Sequence, residues 1–142
     1  MAIANLHETL LSYTLRKNQL NLEISEYQAQ KMLAHYSIGD TRTIKSQEEQ
    51  EVRDFYKALY AEDSDYNGKY KDYTEIPDFE AEMDKIAAKY QDELDQLSAW
   101  ETQIDAQITT ASAELEEVNA YTESLKSMLS SNIQDDFNYG LN

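Results

Sequence analysis

The stretch IANLHETLLSYTLRKNQLNLEISEYQAQKMLAHYSI (residues 3–38) carries the strongest structural signal in the chain. Its apolar residues recur at alternating steps of three and four, the heptad pattern of a helix that packs lengthwise against another helix. Two lysines interrupt the series. The repeat consists of Ile3, Leu6, Leu10, Tyr13, Lys17, Leu20, Ile24, Tyr27, Lys31, Ala34 and Ile38. We therefore predict a helix over residues 3–38 with one continuous packing seam.

The first arm of the fold is predicted to break after residue 38. Gly39 followed by Asp40 is typical of a helix end, because glycine readily adopts the left-handed conformation that closes the last turn. Ser46 and Glu49 fit a capping box, in which Ser46 accepts from the first-turn amides and Glu49 reaches back. A second helix is therefore predicted over residues 46–62.

A third, much longer helix is predicted over residues 77–132. Pro77 suits a first helical position, and no further glycine or proline occurs before Gly140. The seam positions, with a four-residue stutter at Leu94 and Leu97, are Phe79, Met83, Ile86, Tyr90, Leu94, Leu97, Glu101, Ile104, Ile108, Ala111, Leu115, Val118, Thr122, Leu125 and Leu129. Residues 133–142 are predicted to form a C-terminal tail.

The predicted helix lengths favour an all-α fold, a long antiparallel helical hairpin with a broken first arm. At 1.5 Å per residue, the third helix spans roughly 80 Å, and the first two span roughly 54 Å and roughly 25 Å. The two arms are thus of matched length, with residues 63–76 as the tip loop of a single helical domain, residues 1–142. An elongated three-helix bundle is the alternative.

Composition and charge exclude several classes of protein. The chain has 142 residues and no cysteine, so disulfides, thiolate metal sites and cysteine nucleophiles are excluded. Its net charge is −16, and residues 46–142 carry 24 acidic against seven basic residues, which opposes nucleic-acid binding. No apolar run is long enough for a membrane span. The N-terminus lacks the pattern of a cleavable signal, which leaves the compartment open between the cytoplasm and export by a signal-independent route.

The segment DSDYNG (residues 63–68) resembles the start of an EF-hand calcium loop. Asp63, Asp65 and Asn67 would supply oxygen ligands at loop positions 1, 3 and 5, and Gly68 the bend at position 6. Position 12 is Thr74 rather than the bidentate glutamate of that loop. The segment therefore predicts a polar turn with a left-handed glycine first, and a weak calcium site as the alternative. No other cofactor is predicted.

Tyrosines are concentrated around the predicted tip. They could form an amphipathic recognition patch, since tyrosine offers a large contact area at low entropic cost, or they could be the core of the tip itself. The candidate patch comprises Tyr56, Tyr60, Tyr66, Tyr70 and Tyr73. The chain has no nucleophile elbow, P-loop or Gly-rich phosphate cradle, and a hairpin offers acid–base carboxylates no pocket. We therefore expect no enzymatic activity.

The layout resembles two groups of bacterial proteins. The pairing of N- and C-terminal heptad helices in a cysteine-free acidic chain is similar to flagellar rod and filament subunits and to type III needle or translocator proteins. The stretches LLSYTLRKNQLNLEISEYQAQKM (residues 10–32) and LDQLSAWETQIDAQITTASAELEEVNAYTESLKSMLSSNIQDDF (residues 94–137) resemble those of uncharacterised small bacterial helical-hairpin proteins. This resemblance implies a coiled-coil hairpin and a structural role in a secretion- or surface-related assembly.

Together these patterns predict a non-enzymatic assembly subunit that forms a homo-oligomer or filament. Its interface would use an outer stripe and a near-terminal seam, with residues Leu11, Leu15, Leu22, Leu33, Ile3, Leu6, Leu125 and Leu129. The alternative is an acidic adaptor or chaperone-like hairpin that binds a basic partner protein.

Overall fold

Two long helices dominate the structure. The computed structural model describes the backbone of residues 3–141 and the side chains of residues 3–135. Its elements are α1 (Ile3–Glu62), the short α2 (Ser64–Lys69), a 3-10 turn (Tyr73–Glu75) and α3 (Pro77–Leu141), with no strand among the described residues. α1 and α3 pack against each other in antiparallel orientation, so the predicted all-α helical hairpin is confirmed. Because α3 is one uninterrupted helix, the alternative three-helix bundle is not formed.

The contacts within the chain divide into two compact units, each built from one part of α1 and one part of α3. Unit 1 contains α1 up to Lys31 and α3 from Gln103 onwards. Its core consists of Leu20, Ala111 and Val118, against which Tyr13, Ile24 and Leu115 pack. The apolar heptad positions of both helices therefore meet here, as the sequence pattern predicts.

Two ion pairs connect α1 and α3 in unit 1. The Arg16 guanidinium donates to both carboxylate oxygens of Glu114, with Nε–Oε1 and Nη2–Oε2 distances of 2.8 Å. The hydrogen bond from Arg16 holds the pKa of the Glu114 carboxyl below its ordinary value. Lys31 lies 2.7 Å from Asp105 in the same unit. Both pairs join α1 to α3 and show that the helices run in opposite directions.

Unit 2 comprises Met32–Thr102 and contains the tip of the hairpin. Tyr56, Ile76 and Phe79 form its buried cluster. Further along the pair, the Tyr90 hydroxyl donates to Glu48 over 2.6 Å, and Lys89 Nζ lies 3.1 Å from the same carboxylate oxygen. The hydrogen bond from Tyr90 is the main cause that lowers the pKa of Glu48, and the hydrogen bond from Lys89 lowers it further.

The predicted break in the first arm is wrong. α1 is a single helix through Gly39, which does not have a positive φ, and the expected capping-box residues Ser46 and Glu49 lie inside it. The physical reason is packing: Ile38 and Thr41, on either side of Gly39, are buried on the seam. A glycine inside a helix costs about 1 kcal/mol relative to alanine, which burial of such a seam outweighs.

The end of the third helix is also further along the chain than predicted. α3 continues from Pro77 to Leu141, so the boundary at residue 132 and the tail from residue 133 are wrong, apart from Asn142, which lies outside the described residues. Among residues 79–125 the predicted seam is confirmed. Its buried members are Phe79, Ile86, Tyr90, Ile104, Ala111, Val118, Thr122 and Leu125. The expectation of a single domain stays a prediction.

Candidate interaction surfaces

Three leucines of unit 1 lie exposed on the side of α1 that faces away from α3. Leu11, Leu15 and Leu22 have 56 %, 60 % and 62 % of their surfaces exposed. At about 100° per residue, they point within about 40° of one another, and roughly opposite to the buried Leu6 and Leu20. We call Leu11, Leu15 and Leu22 the N-terminal leucine face.

The surroundings of the N-terminal leucine face carry little charge. Asn18 is the outward-pointing residue between Leu15 and Leu22, and its side chain is neutral. Among residues 8–26, the carboxylates on this side of α1 belong to Glu8 and Glu26. Glu8 precedes Leu11 in the sequence, and Glu26 follows Leu22. The face is therefore an apolar, nearly neutral strip on a protein of strongly negative net charge.

A second exposed apolar group lies on α1 in unit 2. Met32, Leu33 and Tyr36, which we call the Met32 patch, are each about 60 % exposed and point away from the buried Ala34 and Ile38. Isolated exposed apolar residues are normal on a protein surface, but three within one turn form a contiguous patch. The Met32 patch is thus a candidate contact surface in its own right.

The predicted interface residues divide into three sets. Leu11, Leu15, Leu22 and Leu33 are exposed, as an intermolecular surface requires. Leu6 and Leu125 are buried by the chain itself and leave almost no side-chain surface for a second molecule. Ile3 and Leu129 are half-buried.

Sequence reasoning missed four exposed apolar residues on α1, and a second periodicity could have found two of them. The missed residues are Met32, Tyr36, Ile44 and Phe55. Large apolar residues recur every eleven positions, and the repeat consists of Leu11, Leu22, Leu33, Ile44 and Phe55. Eleven residues are close to three full helical turns, so such a series stays near one side of a straight helix over several repeats. All five members are exposed.

The tyrosines around the tip pack mainly on one another and on the buried cluster of unit 2. Tyr56 is buried, and Tyr60, Tyr66, Tyr70 and Tyr73 are half-buried. The Tyr60 hydroxyl lies 2.9 Å from the carbonyl oxygen of Tyr70 and 2.8 Å from that of Lys71, so it holds the segment after α2 against α1. This arrangement matches the tip core that the sequence offered as the alternative. A recognition role for the five tyrosines stays a prediction.

The DSDYNG segment forms most of the helix α2 and not an open loop. Asp63 is the N-cap, and its carboxylate accepts a hydrogen bond of 2.9 Å from the backbone N–H of Asp65. Gly68 lies inside α2 without a positive φ, so the left-handed glycine expected for the polar turn is wrong. Self-capping by Asp63 agrees with the polar-turn prediction. Calcium binding by Asp63, Asp65 and Asn67 stays a prediction.

A groove in unit 1 runs between acidic and aromatic side chains. It has a volume of about 310 Å³, and its lining includes Glu23, Tyr27, Ala111 and Glu114. Arg16 reaches both of its carboxylates, because it donates to Glu114 and lies 3.6 Å from Glu23. One cation of the chain thus offsets about half of the negative charge of this groove.

A cleft in unit 2 has a different character. It has a volume of about 280 Å³ and is lined by Glu51, Val52, Phe55, Tyr56 and Glu82; we call it the Phe55 cleft. Burial raises the pKa of the Tyr56 phenol, and the negative fields of Asp78 and Glu82 raise it further. The cleft therefore combines an apolar aromatic wall with a negative potential.

Neither a metal-binding group nor a membrane-spanning helix occurs among the described residues. Side chains of residues 3–135 include no group of three or more histidine, aspartate or glutamate residues arranged to hold a metal ion. Among the helices described, none has a segment apolar enough to cross a bilayer.

No protein-family model matches the chain, and no curated protein or solved structure is significantly similar to it. The resemblance to flagellar, type III secretion and small helical-hairpin proteins therefore stays a prediction from sequence pattern.

Proposed function

We propose that the protein is a non-enzymatic assembly subunit that associates with a second copy of itself through the N-terminal leucine face. The observation that carries the proposal is the exposure of Leu11, Leu15 and Leu22, each more than half, on one side of α1. Their burial against another molecule removes apolar surface from water, which is the main driving force of protein association. A setting in a secretion- or surface-related bacterial assembly rests on the sequence resemblance alone.

The charge distribution favours a second copy as the occupant of this face. Residues 1–45 carry five basic against four acidic residues, while residues 46–142 carry seven against 24. Contact through the N-terminal leucine face therefore joins two nearly neutral segments. A basic partner would find only Glu8 and Glu26 to pair with there.

The apolar area available supports a weak association. Full burial of a leucine contributes about 1.5–3 kcal/mol, so covering the exposed half contributes about 1 kcal/mol. Six leucines from two copies contribute about 6 kcal/mol, which only begins to exceed the cost of immobilising two molecules. We therefore expect concentration-dependent association.

The test compares the wild type with the double variant Leu15→Gln/Leu22→Gln by sedimentation velocity over a concentration series. Both side chains are exposed, so the variant should retain its helical circular dichroism and thermal midpoint. We expect the wild type to show a growing fraction of dimer or larger species and the variant to remain a monomer. Met128→Gln, which changes an exposed apolar residue on α3, is the matched control and should associate like the wild type. A wild type that stays monomeric, or a variant that associates equally well, contradicts the proposal.

A second candidate function is an acidic adaptor that binds a basic partner protein. The observation that favours it is the Phe55 cleft, where Glu51 and Glu82 border an exposed aromatic ring. Such an adaptor requires no self-association. A salt series distinguishes the two candidate functions. Added salt weakens the binding of a basic partner, because it screens the attraction between opposite charges, and it favours self-association, because it screens the repulsion between two negative copies.

A further inference from the structure

Phe55 is the most unusual apolar side chain of unit 2. Phe55 is 62 % exposed, although the adjacent Tyr56 is buried in the core cluster. The two rings meet edge to face, with centroids 5.1 Å apart and an interplanar angle of 85°. Phe55 therefore rests against the protein on one side and offers aromatic surface on the other.

The acidic residues of the Phe55 cleft come from both long helices. Glu51 and Glu82 line it from α1 and α3 respectively. Within residues 3–135 neither forms an ion pair with a lysine or arginine, and the nearby Arg53 lies 3.8 Å from Glu49 instead. Burial is the main cause that raises the pKa of Tyr56, and the negative charges of Asp78 and Glu82 raise it further, so Asp78 adds to the negative potential at the cleft. The cleft thus lacks an internal cation of the kind that Arg16 supplies in unit 1.

The exposed aromatic ring and the two carboxylates of the Phe55 cleft are complementary to an arginine side chain. A guanidinium group is planar, stacks on aromatic faces and donates to carboxylates at the same time, whereas an ammonium group is more strongly hydrated and acts as a point charge. The aliphatic stem of the same side chain would contact Val52 and Phe55. The net negative charge of residues 46–142 attracts basic segments in general.

We propose that the Phe55 cleft is a docking pocket for an arginine side chain of a basic partner protein, with the guanidinium over Phe55 and between Glu51 and Glu82. The inference deepens the acidic-adaptor candidate and rests on it for its biological meaning. It is independent of self-association through the N-terminal leucine face.

The experiment titrates the full-length, isotope-labelled chain with N-acetylarginine amide and follows backbone amide chemical shifts. We expect millimolar binding with shifts confined to residues around the cleft. N-acetylcitrulline amide has nearly the same shape without the charge and should bind about tenfold more weakly, since charge-assisted hydrogen bonds are lost. N-acetyllysine amide should bind several-fold more weakly, because it lacks the planar group.

Variants locate the site and distinguish it from general charge attraction. Glu51→Gln/Glu82→Gln should weaken arginine binding about fivefold, and Phe55→Ala by a similar factor. Glu93→Gln/Glu116→Gln removes the same charge from exposed positions outside the cleft and should leave binding unchanged. All these substitutions are at exposed positions, so each variant should fold like the wild type. The amide spectrum of each variant checks this.

The inference is overturned by the absence of a saturable shift, by equal affinity for arginine and citrulline, or by equal weakening by the two glutamine pairs. A basic peptide that binds with shifts elsewhere on the chain would overturn the cleft as the site and leave the acidic adaptor standing. If the adaptor function itself is wrong, no basic peptide binds to the chain at all. This result differs from binding at another site.

Discussion

Thr122 occupies a seam position of α3 with only 5 % of its surface exposed, and its hydroxyl has no hydrogen-bond partner among the described residues. Other threonines of α3 donate to the carbonyl four residues earlier, as Thr109 does to Asp105 over 2.9 Å. A buried hydroxyl without a partner costs free energy because it has lost its hydrogen bonds with water. The seam thus contains one polar group that packing has isolated.

We expect Thr122→Val to stabilise the protein by about 1 kcal/mol, because the change removes the isolated hydroxyl and keeps the β-branched shape. Urea denaturation monitored by circular dichroism measures the difference in the free energy of unfolding. Thr109→Val, at an exposed position, is the control and should change stability by less than about 0.5 kcal/mol. A loss of stability in Thr122→Val would mean that the hydroxyl is satisfied in solution.

At the scale of the element, the continuity of α1 through Gly39 is the clearest departure from the sequence pattern. Gly39 is exposed, lacks a positive φ, and a Cβ built on it meets nothing within 4 Å. A methyl group at this position is therefore accommodated without strain. Alanine also loses less backbone entropy than glycine when the helix forms.

The substitution Gly39→Ala is expected to stabilise the protein by about 0.5–1 kcal/mol. The sign of the change is decisive, because a glycine that ended the helix in a left-handed conformation would make alanine destabilising instead. Chemical denaturation of the wild type and the variant gives the difference. Ala29→Gly, at an exposed position of the same helix, is the reverse substitution and serves as the control. It should lower the free energy of unfolding by a similar amount.

At the scale of the whole molecule, a net charge of −16 sets the conditions under which copies can meet. Two such molecules repel each other at low ionic strength, where the screening length is about 30 Å, and much less at about 0.15 M salt, where it is about 8 Å. Association through the nearly neutral N-terminal leucine face should therefore strengthen several-fold as salt is added. Light scattering at matched protein concentrations measures this dependence. Association that weakens with salt would point to ion pairs as its basis, and so to a different surface.

Heptad spacing was sufficient to predict the class of the fold and most of its packing. Leu20 on α1 and Val118 on α3 could be assigned to a seam because residues three and four apart share one side of any helix, whatever that side contacts. The antiparallel pairing followed from the matched lengths of the two arms. The exposure of Leu11, Leu15 and Leu22 was also readable, because these residues lie opposite the seam.

Other features depended on contacts between residues that are distant along the chain. Gly39 and Ser46 carry local signals for a helix end and a helix start, yet the seam against α3 keeps α1 intact, because buried packing along a helix outweighs a propensity of about 1 kcal/mol. Arg16 is one of several cations in the sequence, and only the register of the two helices brings it to Glu114. The Phe55 cleft likewise exists only because α3 places Glu82 beside α1. The spacing of apolar residues specifies which side of a helix is buried. The helix that packs on that side decides whether the first helix is continuous, which ion pairs form and which side chains meet at the surface.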